Sequence, residues 1–150
     1  MKKIFVFNGP NLNQLGRREP LIYGSETLEE IDHRLQKEGK AMGYDVIGFQ
    51  SNCEGALIDA IHNARSKAQF ILMNAGALAH TSISLRDALL SVAIPFIEVH
   101  LSNTQAREPF RHTSYLSDIA LGIVMGFGAY SYCLALLAAD HYLKKQPLSE

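Results

Sequence analysis

Residues 70–103 read FILMNAGALAHTSISLRDALLSVAIPFIEVHLSN, and this stretch decides the fold. It begins with a short apolar run, Phe70–Met73, and contains a second one near its end, Pro95–Val99. Both runs have the length and composition of strands. Between them, Ser82–Ala93 repeats apolar side chains at helical spacing. A strand, a helix and a second strand in this order predict two parallel strands joined by a crossover helix.

The same alternation continues on both sides of this unit. Three further apolar runs of strand length lie at Ile4–Phe7, Val46–Phe49 and Ile119–Met125. Helical patterns lie between and after them: a helix that Thr27 and Glu30 open with a capping box and Gly43 closes, then Glu54–Lys67, and finally Tyr130–Leu143. Five strands that alternate with helices predict an α/β chain with a doubly wound, five-stranded parallel sheet and helices on both faces.

Composition narrows the class of protein. The 150 residues are 47% hydrophobic and 19% charged, which fits a single domain, 1–150, with a full core. Lys and Arg number 14 against 15 Asp and Glu, a balance that argues against a nucleic-acid partner. Only Cys53 and Cys133 occur, so a disulfide scaffold and a zinc ribbon are excluded and a cytoplasmic location is favoured.

One uncharged stretch, Ile119–Ala139, is 21 residues long and in principle could cross a bilayer. Glycines at 122, 126 and 128 interrupt it, however, and two tyrosines lie inside it. We interpret it as a buried strand, a glycine turn and the start of a helix, and we expect no membrane association.

Polar clusters follow three of the predicted strands. They are Asn8–Asn11, Asn74–Gly76 and His100–Asn103. Ligands of open parallel sheets bind beyond the carboxyl ends of the strands, so these clusters share the expected site. Asn and Gly also form ordinary turns, which explains any single cluster equally well. Three clusters at one edge favour a binding site.

The connection from Gly9 to about Glu26 is long for a loop between a strand and a helix, and loops of this length often bind ligands or act as lids. Gly16 and Gly24 are candidate hinges. Four of the seven arginines, Arg17, Arg18, Arg107 and Arg111, lie in this loop and in the loop after the fourth strand. Guanidinium groups there favour a small acidic ligand, although surface ion pairs are the alternative.

Tyr23 and His100 are the candidates for proton transfer. A loop tyrosine usually serves packing, but a guanidinium neighbour would stabilise its phenolate and allow it to act as a general base. Glu98 lies two residues before His100 on the same face of a strand, where its carboxylate can fix the imidazole tautomer for a general acid. The alternative for His100 is a structural role at the edge of the sheet.

The remaining histidines carry less information. His80 precedes a helix that either Thr81 or Ser82 could cap. His112 follows Arg111 and is left without an assignment. The other three histidines, His33, His62 and His141, lie on helices and are assigned no function.

Several nucleotide and metal motifs are absent from the sequence. No phosphate-binding loop of the Gly-x-x-x-x-Gly-Lys type occurs, and Gly126–Ser131 only approaches a dinucleotide fingerprint. No spacing of His, Cys or acidic residues predicts a metal site. We therefore predict a cofactor-free site that transfers protons around a small anion.

Longer motifs extend this interpretation. They are Asn8–Asn13, Leu15–Pro20, Tyr23–Gly24, Gln50–Asn52, Asn74–Ala77, His80–Ser82, Leu85–Ala88, Ile97–Asn103, Arg107–Arg111 and Ser114–Tyr115. Together they resemble the type II 3-dehydroquinate dehydratases, in order and over nearly the whole chain. Two departures from the family pattern, Gln14 and Ala79, remove no chemical group. The resemblance implies a flavodoxin-like fold and a cofactor-free hydro-lyase of the shikimate pathway.

The resemblance also implies catalytic roles. The family converts 3-dehydroquinate to 3-dehydroshikimate by anti elimination through an enolate. Tyr23 would remove the proton from carbon 2, and Arg18 would stabilise its phenolate. Asn11 would hold a water at the enolate oxygen. His100, oriented by Glu98, would protonate the departing hydroxyl at carbon 1.

Substrate binding and assembly follow from the same resemblance. Asn74 and the backbone amides of Leu101 and Ser102 would bind the carboxylate, while His80 and Arg111 would hold ring hydroxyls. Asp87 would reach the site of a neighbouring subunit, in trimers that assemble into a dodecamer. The alternative function is a flavodoxin-like module that binds a phosphate or FMN without catalysis. The sequence does not separate a biosynthetic role from quinate breakdown.

Overall fold

The five predicted strands form one parallel sheet in the computed structural model, which describes residues 1–17 and 19–146. The strands are β1 Lys2–Asn8, β2 Tyr44–Gln50, β3 Phe70–Asn74, β4 Phe96–His100 and β5 Gly122–Met125. Their order across the sheet is β2-β1-β3-β4-β5. The direction of winding reverses between β1 and β3, which is where ligands bind in sheets of this kind.

The helices confirm the predicted alternation. Those within the described residues are α1 Pro20–Tyr23, α2 Leu28–Ala41, α3 Glu54–Asn63, α4 Ile83–Val92 and α5 Tyr130–Lys145. The hydroxyl of Thr27 accepts a hydrogen bond from the Glu30 amide and caps α2 as predicted. At α4 the cap is Ser82, whose hydroxyl accepts from the Leu85 amide, so the choice between Thr81 and Ser82 is settled.

Two hydrophobic cores lie on opposite faces of the sheet. Ile4 and Val6 of β1 pack with α2 and α5 in one core. Phe7 belongs to the second core, which α3 and α4 cover. This division follows from the alternation of side chains along a strand, and it confirms that helices lie on both faces.

Element ends differ from the sequence prediction by a few residues. Helix α3 ends at Asn63 rather than Lys67, and Ser66 has a left-handed backbone with a φ of 64°. Strand β5 begins at Gly122 rather than Ile119, because residues 116–120 form a turn in which the Ile119 and Ala120 amides donate to the Leu116 carbonyl. The stretch 119–139 is a strand, a glycine turn and a helix, as interpreted. The prediction that this strand is buried was wrong, because β5 is the edge strand of the sheet: Ile123 is 44% exposed and its other residues are half-buried. No helix in the described part of the chain is long and apolar enough to cross a membrane.

The loops at the carboxyl ends of β1 and β3 touch each other. Asn8 lies opposite Asn74 in the strand register, and the Gly9 amide donates to the Asn74 carbonyl at 2.8 Å. A Cβ atom on Gly9 would lie 2.2 Å from the Ala75 carbonyl oxygen, so a side chain does not fit there. This close approach brings the polar clusters of β1 and β3 to one place.

Candidate active site

A cleft of about 550 Å³, open solvent at its mouth included, lies at the carboxyl edge of the sheet. Seven of the predicted site residues line it: Asn11, Tyr23, Asn74, His80, His100, Leu101 and Arg111. Thr104 and Arg107 also line it. The predicted site residues of the first loop and of strands β3 and β4 therefore converge as expected.

His100 and Glu98 form a buried pair at the end of β4. The His100 Nε2 and a Glu98 carboxylate oxygen are 2.5 Å apart. Glu98 is fully buried and His100 is 6% exposed. Because the carboxylate contacts Nε2, that nitrogen carries the proton donated to Glu98, and the tautomer of the ring is fixed.

Two serine hydroxyls complete the surroundings of Glu98. Ser114 Oγ donates to Oε2 at 2.8 Å, and Ser117 Oγ donates to Oε1 at 2.5 Å. Burial alone would raise the pKa of Glu98, but the hydrogen bonds from His100 and Ser117, the charge of His100 and the bond from Ser114 outweigh it. The pKa of Glu98 therefore lies below its ordinary value, and the carboxylate stays ionised at neutral pH.

His80 lies beside His100 in the cleft. The two rings are stacked, with centroids 6.0 Å apart and planes 17° apart. His80 Nδ1 lies 2.8 Å from the Thr113 carbonyl oxygen, so Nδ1 is the donor. Its Nε2 is left for a ligand in the cleft.

Tyr23 ends the short helix α1 in the long loop after β1. The guanidinium of Arg107 lies over its ring, 5.2 Å from the centroid. This contact between the two predicted ligand-binding loops was not predicted, although both loops were. Arg18, the predicted neighbour of Tyr23, lies outside the described residues.

Arg107 and Arg111 are held at the mouth of the cleft by the loop after β4. Arg107 donates to the Ser102 hydroxyl at 3.1 Å, which gives Ser102 a side-chain role. Arg111 Nε donates to Glu108 at 2.9 Å. The remaining nitrogen atoms of each guanidinium group can still donate to an anion.

Asn11 follows β1 with a left-handed backbone, at a φ of 71°. The backbone amide of Asn11 donates to the Asn52 side-chain oxygen at 2.9 Å, and the Gln50 side chain donates to the same oxygen. Asn tolerates this conformation better than most residues, and the bond to Asn52 holds it. The exposed Asn11 side chain is thus presented at the edge of the cleft.

Asn74 is almost fully buried and has two fixed partners. Its side-chain oxygen accepts from the Gly76 amide at 3.1 Å, and its Nδ2 donates to the Tyr132 hydroxyl at 2.8 Å. Tyr132, which comes from α5 at the other end of the chain, was not predicted as a site residue. Ser114 was named only as part of a motif and Ser117 not at all, because nothing in the sequence indicates that they contact Glu98.

Asp87 lies apart from these residues. It is exposed on α4 and lines a shallow groove with Ile58 and His62 rather than the cleft of its own chain. Within the described residues, no group of three or more His, Cys, Asp or Glu side chains is arranged to hold a metal ion.

Known proteins with similar sequences come from one enzyme family. The model of the family described as Dehydroquinase class II matches residues 2–140. The 3-dehydroquinate dehydratase of Actinobacillus pleuropneumoniae serotype 5b (strain L20) is 57% identical over 150 residues, which cover 100% of this chain and 97% of that protein. The enzyme of the same name from Prochlorococcus marinus is 59% identical over 144 residues, which cover 96% of this chain and 97% of that protein.

The fold agrees with these sequence relatives. The crystal structure of type II dehydroquinase from Propionibacterium acnes has a TM-score of 0.90 against this structure and is 41% identical in sequence. The similarity covers 94% of this chain and 97% of that one.

Proposed function

This chain belongs to the class II dehydroquinase family, and we propose that it dehydrates 3-dehydroquinate to 3-dehydroshikimate with Tyr23 as base and His100 as acid. The protein is an enzyme, a hydro-lyase, as its family and its relatives' names indicate. The assignment disfavours the alternative of a binding module without catalysis.

The first step is removal of the proton from carbon 2. The Tyr23 phenolate takes this proton, and the electrons of the broken bond move into the adjacent ketone to give an enolate. The guanidinium of Arg107 lies over the Tyr23 ring and helps to hold it at the cleft. Arg18 is proposed to stabilise the phenolate, as the family resemblance implies. A water held by Asn11 would donate to the enolate oxygen.

The second step is loss of the hydroxyl from carbon 1. His100 in its protonated form donates a proton to the departing oxygen, which leaves as water while the enolate collapses to the enone. A Glu98 carboxylate oxygen lies 2.5 Å from the imidazole Nε2 and orients the ring for this transfer. After one turnover Tyr23 holds the proton and His100 lacks one, so a proton must return from Tyr23 to His100 through solvent before the next.

The substrate carboxylate would bind Asn74 and the backbone amides of Leu101 and Ser102. His80 and Arg111 would hold ring hydroxyls. His80 offers its Nε2 because Nδ1 is engaged with Thr113, and Arg111 retains donors beyond its bond to Glu108. These assignments rest on the family resemblance together with the shared cleft.

The proposed assembly is a dodecamer built from trimers, in which Asp87 completes the site of a neighbouring subunit. Its support is the position of Asp87, which is exposed on α4 and away from the cleft of its own chain. The cytoplasmic location and the single catalytic domain, 1–150, stay predictions.

The observation that carries the mechanism is the buried Glu98–His100 pair, of which His100 lines the same cleft as Tyr23. We test it with the absorbance of the enone product after 3-dehydroquinate is added. Tyr23→Phe removes only the phenol oxygen, and we expect turnover to fall by at least about a hundredfold while substrate still binds.

Tyr130→Phe is the matched control, because this exposed tyrosine at the start of α5 lies outside the cleft. It should retain wild-type turnover. A Tyr23→Phe enzyme that keeps more than about a tenth of wild-type turnover would remove Tyr23 from the role of base. A wild-type protein that binds FMN and produces no enone would instead favour the binding module.

A further inference from the structure

A chain of buried hydrogen bonds leads from the core to the cleft through Asn74. The direction of each hydrogen bond in this series is defined, because the series begins at a backbone donor. The Gly76 amide can only donate, and it donates to the Asn74 side-chain oxygen at 3.1 Å. The opposite end of the Asn74 amide, Nδ2, must therefore be the donor that lies 2.8 Å from the Tyr132 hydroxyl.

The hydrogen bond between Tyr132 and Asn8 can have only one direction. The Tyr132 oxygen accepts from Asn74, so its single proton is donated onward to the Asn8 side-chain oxygen, 2.5 Å away. Tyr132 and Asn8 are both fully buried. Burial raises the pKa of Tyr132 well above its ordinary value, so the hydroxyl keeps its proton at all working pH values.

Asn8 is the last residue in this series of hydrogen bonds, and its side-chain oxygen faces the Tyr132 hydroxyl. Its side-chain Nδ2 is buried without a hydrogen-bond partner among the described residues, and its oxygen is used by the tyrosine. A buried donor without a partner is destabilising. The Asn8 amide thus acts as an acceptor in this network, and the polarity runs from Asn74 through Tyr132 to Asn8.

We propose that Tyr132 is a positioning residue, which with Asn8 holds the nitrogen end of the Asn74 amide, in the orientation that Gly76 selects, so that a donor faces the substrate carboxylate. Tyr132 uses one Nδ2 hydrogen of Asn74, which leaves the second for a ligand in the cleft that Asn74 lines. The Gly76 amide selects this orientation at the oxygen end of the Asn74 amide, and Tyr132 holds the nitrogen end. Without Tyr132 the amide would be held at its oxygen end alone, and its remaining donor would be less well placed for the carboxylate.

This inference rests on the proposed function, because it assumes that Asn74 binds the carboxylate of 3-dehydroquinate. A contact to a group that does not react stabilises the substrate and the transition state alike, so its loss raises KM and leaves kcat nearly unchanged. This pattern differs from the loss of kcat that follows from removing Tyr23 or His100.

The experiment compares steady-state kinetics of Tyr132→Phe with those of wild type. We expect KM for 3-dehydroquinate to rise about tenfold and kcat to stay within about threefold, the size of effect expected for one hydrogen bond to a charged group. An inactive wild-type enzyme would refute the proposed function. An active wild type with an unchanged KM in Tyr132→Phe would refute this inference alone.

Tyr44→Phe is the matched control. Tyr44 is also buried, and its hydroxyl donates to Asp140 of the same helix, α5, at 2.7 Å, but it lies outside the cleft. Loss of the Tyr44 hydroxyl should lower the free energy of unfolding, as loss of the Tyr132 hydroxyl does, because each removes a hydrogen bond that α5 makes. It should leave KM unchanged. An equal rise in KM for Tyr132→Phe and Tyr44→Phe would mean that the effect comes from general loosening of α5, and it would overturn the proposal.

A double-mutant cycle tests whether Tyr132 acts through Asn74. In an Asn74→Ala background, Tyr132→Phe should raise KM no further, whereas independent effects would multiply and contradict the proposal. If Tyr132→Phe does not fold, Asn8→Ala carries the test, because it removes the acceptor that holds the tyrosine proton. We expect Asn8→Ala to raise KM about threefold or more, and an unchanged KM would again overturn the inference.

Discussion

Strand β4 carries Glu98 and His100 on the same face, and the geometry of a strand alone brings their side chains together. Their effect on each other depends on burial, because a carboxylate that water surrounds would interact weakly with the ring. The serine hydroxyls at positions 114 and 117 make that burial tolerable, since they satisfy the remaining acceptor sites of Glu98.

Ser117→Ala tests this arrangement through pH. The bond from Ser117 lowers the pKa of Glu98, so its removal raises that pKa. The charged form exists above the pKa and is lost as the pH falls through it, so the acid-side loss of activity should move to higher pH. The pH profile of kcat measures this shift, and rates at and above neutral pH should change little.

Ser84→Ala is the control for this prediction, because Ser84 is exposed on α4 and lies outside the cleft. Its pH profile should match that of wild type. An acid limb that does not move in Ser117→Ala would show that Glu98 does not depend on this hydroxyl for its ionisation.

Single residues were predictable where local sequence reports their chemistry. His100 and Glu98 share a strand, and Tyr23 lies in a loop whose length is unusual. Tyr132 was missed because its partners come from β1 and β3, more than fifty residues away along the chain. In sequence alone, a tyrosine in a helix that faces the core is indistinguishable from one that only packs.

Helix α4 connects β3 to β4 and begins at the edge of the sheet that holds the cleft. Its cap, Ser82, accepts from the Leu85 amide at 2.9 Å, and its hydroxyl also donates to Glu54 at the start of α3. One hydroxyl therefore joins the first turns of two helices that cover the same face.

Ser82→Ala should lower the free energy of unfolding by about 1 to 2 kcal/mol, because it removes a helix cap and leaves the Leu85 amide short of a partner. Thr81→Ala, at the neighbouring exposed position, should change it by less than about 0.5 kcal/mol. Urea denaturation of both variants measures the difference. Equal losses would mean that Ser82 does not act as the cap in solution.

Strands and helices were predictable because their apolar periods differ and polar turns separate them. All five strands were predicted in the right places, and the four long helices as well. The ends of these elements were less predictable. Helix α3 stops before Lys67 and strand β5 starts after Ile119, because tertiary contacts and not the apolar pattern set where an element begins and ends. The short helix α1 was not predicted, because four residues carry too little periodicity.

Across the whole molecule, the order β2-β1-β3-β4-β5 follows from winding first to one side of β1 and then to the other. Alternating strands and helices predicted a sheet covered on both faces. The distances between loops were not predictable, because they depend on contacts such as Gly9 against Ala75. The cleft forms where those loops meet.

Asp87 provides a prediction about assembly. If it completes a neighbouring site, Asp87→Ala should raise KM for 3-dehydroquinate, and dilution of wild type to isolated subunits should lower activity. Asp59→Ala, an exposed carboxylate on the adjacent helix α3, is the control and should behave as wild type. Light scattering alongside the assay gives the assembly state. A fully active monomer would contradict the assembly proposal.

The central claim is that separate groups remove the carbon 2 proton and release the carbon 1 hydroxyl. Its most direct test follows both events in His100→Ala with 3-dehydroquinate in deuterated water. We expect carbon 2 exchange, detected by NMR, to outrun enone formation in His100→Ala, and both to be nearly lost in Tyr23→Phe. Exchange that persists in Tyr23→Phe and vanishes in His100→Ala would contradict the assignment of base and acid.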